Sequence, residues 1–74
     1  MGEKYLYLTF STTADAIACE KTCKAHGIKG RLVAAPRQMS AGCGLAFRSG
    51  LEEREALEGI LASQAINIEK IQEI

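Results

Sequence analysis

Six short stretches of this chain carry a clear apolar period. Their order is strand, helix, strand, strand, helix, strand. Only the two middle strands follow one another without a helix between them, so the chain has one hairpin and two longer crossovers. With 74 residues it is near the lower limit for a self-sufficient core, and all six elements must share that core as one domain. Two right-handed crossovers on one face of an antiparallel sheet meet this requirement. The expected architecture is therefore α+β, βαββαβ and ferredoxin-like, with strand order 4-1-3-2.

The individual elements follow from local chemistry. Lys4 to Phe10 is short and rich in β-forming residues, with Leu6, Leu8 and Phe10 on one face as the expected core face. Thr12 and Asp15 resemble a capping box. They predict a helix from Thr13 to His26, stopped by Gly27, with Ala16, Cys19 and Cys23 along its inner side. A second strand lies within Ile28–Ala35 and ends at Pro36, which cannot donate to a ladder. A loop runs from Pro36 to Gly42, and Gly44–Arg48 forms the third strand. Ser49 and Glu52 read as a second capping box, opening a helix whose buried stripe is Ala56, Leu57, Ile60 and Leu61 and which ends near Ser63 or Gln64. The fourth strand is expected over Glu69–Glu73.

Charge narrows the function. Lys and Arg number nine, as do Asp and Glu, which gives no reason to expect nucleic-acid or membrane partners. No apolar run approaches a membrane span, and Met1–Lys4 lacks the apolar core of a signal peptide. The expected compartment is the cytoplasm, where three cysteines, an odd number, are thiols rather than a disulfide framework. No Ser-His-Asp set, phosphate-binding glycine loop or paired-carboxylate site is recognisable, and no cofactor is expected.

Cys43 is the leading site residue. Gly42 and Gly44 flank it, leave the thiol sterically open and allow unusual backbone angles. Consecutive N–H groups in such a turn can form an anion-binding nest, which would favour the thiolate. Ser40 and Arg37, in the same loop, are candidates to stabilise that anion, and Arg31 and Arg48 join them if the strands bring them to the loop. The competing reading makes Cys43 a small, half-buried residue at a strand start. Cys19, Cys23 and His26 share one helix face and offer soft ligands for zinc, but a structural site needs a fourth ligand. The competing reading is a core face of small apolar thiols, and no metal is assigned.

Pro36-Arg37, then Ser40-x-Gly42-Cys43-Gly44-Leu45-Ala46, then Arg48 resemble the signature of a small bacterial Se/S-carrier-like family. Thr9-Phe10, Asp15-Ala16, Glu20-Lys21, Gly27-Ile28 and the acidic second helix extend the likeness over most of the chain. The resemblance implies a small α+β fold, a functional thiol at Cys43, and association with sulfur-carrier proteins. The Cys-Pro-x-Pro motif of those carriers is missing here. The resemblance also implies small or aliphatic residues at positions 19 and 23, which favours the core reading over metal.

The reading that follows is a carrier rather than an enzyme: Cys43 holds sulfur or selenium as a persulfide or selenosulfide, between a donor and an acceptor protein. The alternatives are a non-catalytic interaction module, with a homodimer through a sheet edge as one form, and a redox-sensing thiol.

Overall fold

A computed structural model describes residues 4–39 and 42–74. It contains β1 (Leu6–Thr9), α1 (Thr13–Ala25), β2 (Gly30–Ala34), β3 (Leu45–Ser49), α2 (Arg54–Ser63) and β4 (Lys70–Glu73). The strands form one sheet in the order β2-β3-β1-β4, with every neighbouring pair antiparallel. This is the expected ferredoxin-like arrangement; β1 and β4 are shorter than the sequence suggested, and β3 is shifted by one residue.

Pairing fixes which side chains share a face. Leu8 lies opposite Phe47 and Ile71, and Phe47 lies opposite Leu32. These residues point to the helices, where Leu6, Leu8, Phe10, Ala16, Cys19, Cys23, Phe47, Leu57 and Leu61 form one buried cluster. Tyr7 and Arg48 pair on the other face, as do Thr9 and Ala46. Thr9 and Ala46 are nevertheless fully buried, and so is Met39 in the β2–β3 connection, although Ala46 and Met39 stand outside the main cluster. The Thr9 hydroxyl has no hydrogen-bond partner among the described residues. Such a group costs about 1–3 kcal/mol, so the buried Thr9 works against the stability of the sheet.

Helix α1 starts and stops as its sequence dictates. Thr12 accepts the Asp15 N–H at 3.2 Å and donates to the Asp15 carboxylate at 2.8 Å. At the other end Gly27 takes φ +72°, Gly27 N–H donates to the Lys24 carbonyl, and Ile28 N–H donates to the Cys23 carbonyl. That pair of bonds is a Schellman cap, which satisfies two carbonyls the helix would otherwise leave open.

Helix α2 departs from expectation at its start. Ser49 is the last residue of β3, is buried, and donates to the Gly50 carbonyl. It therefore caps nothing. The chain enters α2 through a 3₁₀ turn at Leu51–Glu53 that has no side-chain cap. Leu57 and Leu61 are buried as expected and Ile60 is half-buried, but Ala56 is exposed.

The end of α2 repeats the Schellman pattern, with Ala65 N–H bonded to the Ala62 carbonyl and Ile66 N–H to the Leu61 carbonyl. Here the left-handed position holds Ala65, at φ 56°. A β-carbon there costs about 1–2 kcal/mol, whereas glycine gives back about 0.4–1 kcal/mol through the freer unfolded chain. Ala65→Gly should therefore raise stability by about 0.5–1 kcal/mol, read as a higher urea midpoint at unchanged slope. A lower midpoint would show that Ala65 is not strained.

Candidate functional site

Cys43 sits just before β3, in the connection that closes the β2–β3 hairpin. Gly44 takes φ +74°, a conformation that glycine adopts without steric cost, and this bend turns the chain into the strand. A β-carbon on Gly42 would fall 3.0 Å from the Ser11 carbonyl oxygen, so the loop passes close to the backbone leaving β1. Cys43 N–H donates to the Phe10 carbonyl at 3.4 Å, tying the two segments together.

Cys43 is half-buried and packs against the rim of the core. Its sulfur accepts the Leu45 N–H at 3.4 Å, and its S–H donates to the Leu45 carbonyl at 3.6 Å. Among the described residues, the N–H groups of Gly42, Cys43 and Leu45 go to three different acceptors. Gly42 N–H donates to the Glu69 carboxylate at 3.2 Å, Cys43 N–H to Phe10, and Leu45 N–H to the sulfur. Among the described residues one donor, the Leu45 N–H, serves the Cys43 sulfur.

Glu69 is the residue that sequence reasoning missed. It lies 27 positions from Gly42 and immediately before β4, where its own N–H donates to the Thr9 carbonyl at 2.7 Å. It thus links the Cys43 loop to the β1–β4 side of the sheet. Nothing local marks it, because the contact depends on the finished topology.

The other candidates separate. Arg37 is exposed in the turn closed by the Met39 N–H to Pro36 carbonyl bond. Ser40 lies outside the described residues. Arg31 and Arg48 do not reach the loop: they face each other across β2 and β3 toward the opposite end of the hairpin. Arg48 lies 4.8 Å from the centre of the Tyr5 ring.

Cys19 and Cys23 are buried on α1 with their sulfurs 4.0 Å apart. A disulfide needs about 2.05 Å, so both are thiols. The hydrogen bond to Cys23, followed by burial, holds the Cys19 thiol well above its ordinary pKa. His26 is exposed at the helix end, away from the two thiols. Among the described residues no three His, Cys, Asp or Glu side chains are grouped to hold a metal ion. No helix there is long and apolar enough to cross a membrane.

Residues 5–73 match the model of a family described as "Putative Se/S carrier protein-like". No curated protein and no solved structure matches the chain.

Proposed function

The chain belongs to the Se/S carrier protein-like family, and from that premise we propose that it carries sulfur or selenium on Cys43 between a donor and an acceptor protein. The observation that carries the choice of residue is burial. Cys19 and Cys23 are enclosed in the core, whereas Cys43 is half-buried in a loop at the end of the sheet. Access is the first requirement of thiol exchange.

In the loading step the Cys43 thiolate attacks the outer sulfur of a donor persulfide, R–S–SH. A new S–S bond forms to Cys43, the donor S–S bond breaks, and its electron pair leaves with R–S⁻. The product is Cys43–S–SH, and no external oxidant is consumed. With R–S–SeH the same exchange gives Cys43–S–SeH. The Leu45 N–H, 3.4 Å from the sulfur, is the protein's own donor to the attacking thiolate. Release is the same exchange with an acceptor thiolate attacking the outer atom. The difficult step, extracting the chalcogen from its source, belongs to the donor.

Intact-mass measurement after incubation with a cysteine desulfurase and cysteine tests this reading. The wild-type chain should gain one sulfur, removable by a thiol reductant, and Cys43→Ser should gain none while keeping its circular dichroism. An equal gain by Cys43→Ser would reject Cys43 as the carrier. No gain from either a desulfurase or a selenide-derived donor would reject the carrier function.

A further inference from the structure

The open end of the β2–β3 hairpin holds a second, separate constellation. Gly30 lies opposite Ser49 and Arg31 opposite Arg48. Lys29, Arg31 and Arg48 line a cleft of about 270 Å³ together with Tyr5 and Gly50. Like charges placed directly opposite on neighbouring strands destabilise a sheet, so the Arg31–Arg48 pairing works against the fold. The described ion pairs do not relieve it: both belong to Arg54, which binds Glu58 and Glu73. Among the described residues two carboxylates stand near the rim, Glu53, which accepts the Lys29 backbone N–H, and Glu52, beside Gly50. Neither forms an ion pair with Lys29, Arg31 or Arg48.

We propose that this cleft is a binding site for a phosphate-class oxyanion, gripped between the Arg31 and Arg48 guanidinium groups with Lys29 as a third cation. Guanidinium forks match the edges of a tetrahedral oxyanion, and each can donate two parallel bonds. The Tyr5 ring, stacked under Arg48, steadies one fork before the ligand arrives, which lowers the ordering cost of binding. The cleft exceeds a lone phosphate in size, so a small phosphate ester also fits. The site is distinct from the Cys43 loop: the two ends of the hairpin are four rungs apart, about 13 Å, and a small anion cannot touch both. It therefore serves recognition or regulation and is not the transferred atom's seat. The proposal stands whether or not Cys43 carries a chalcogen.

The test is an amide chemical-shift titration at constant ionic strength, with inorganic phosphate and glycerol phosphate as separate probes. Saturable shifts should centre on residues 29–31 and 48–50. Arg31→Gln and Arg48→Gln should each weaken binding at least tenfold, Arg48→Lys should fall between them and wild type, and Cys43→Ser should bind as wild type does. Phosphate should raise the melting temperature of wild type and not of the double Gln variant, because a ligand stabilises only the state that binds it. Saturation by the ester alone would assign the site to phosphorylated metabolites, and saturation by both to the phosphate group itself. Shifts that do not saturate, that appear equally around Arg37, or that survive the double Gln change would overturn the proposal. So would saturation of the same residues by a glutamate-rich peptide with no response to either phosphate.

Discussion

Iodoacetamide added to the native protein should modify Cys43 at least a hundredfold faster than Cys19 or Cys23. The two helical thiols are 0% and 1% exposed, so reagent reaches them only when α1 leaves the sheet. A domain of this length has a total stability of about 4–11 kcal/mol. If exposing the inner face of α1 takes even the lower figure, the open form is about one molecule in a thousand. Cys43 needs only a loop displacement to free its sulfur. Its half-burial and its contacts with Leu45 reduce part of the thousandfold, leaving about a hundredfold. The Cys19 thiol is further slowed because its pKa is held up by Cys23 and burial, and the thiolate is the reactive form. Site-resolved mass spectrometry over a time course decides the ranking. Equal rates would mean that α1 opens freely, and a faster Cys19 would move the reactive site onto the helix.

The second large effect concerns stability. Phe47→Ala should cost about 3–5 kcal/mol, the usual range for emptying a buried aromatic site. Phe47 is 1% exposed and pairs with both Leu8 and Leu32 in the middle of the sheet. Its ring also fills the space over Gly30: a β-carbon there would fall 2.6 Å from the ring Cζ. Gly30, lacking a side chain, cannot close the gap at that position. Against a total of about 4–11 kcal/mol, the loss leaves the variant marginal, and the melting temperature should drop by more than about 12 °C. A loss under 1 kcal/mol would show that the ring does not hold β2 and α1 to the sheet.

The fold was legible because its local signals agree. Thr12 with Asp15 and Gly27 mark both ends of α1, and the Leu6–Leu8–Phe10 alternation marks the core face of β1. The start of α2 was misread because Ser49 and Glu52 have capping-box spacing, while Ser49 is needed as the last rung of β3. Ala56 is exposed because the buried stripe of α2 is narrower than its apolar residues suggest and centres on Leu57 and Leu61. The site was legible only as a residue. Cys43 stands out between its glycines, but the N–H donor it takes from Leu45 and the diversion of Gly42 to Glu69 depend on how three segments meet. The Arg31–Arg48 pairing was equally hidden. Spacing in sequence says nothing of which residues face each other until the hairpin register is known.

The bonds between Cys43 and Leu45 run in both directions, and they respond differently to chemistry at sulfur. Any replacement of the thiol proton, by alkylation, by oxidation or by an added chalcogen, removes the donor to the Leu45 carbonyl. The Leu45 N–H keeps its acceptor, though one of altered electron density. Leu45 is also the first β3 residue paired with β2, opposite Ala34. The loop's chemistry is thus wired to the end of a rigid ladder. The Leu45 amide is a built-in spectroscopic reporter: its proton and nitrogen resonances should change with the state of the sulfur, while those of Phe47, two residues further along the strand, stay in place.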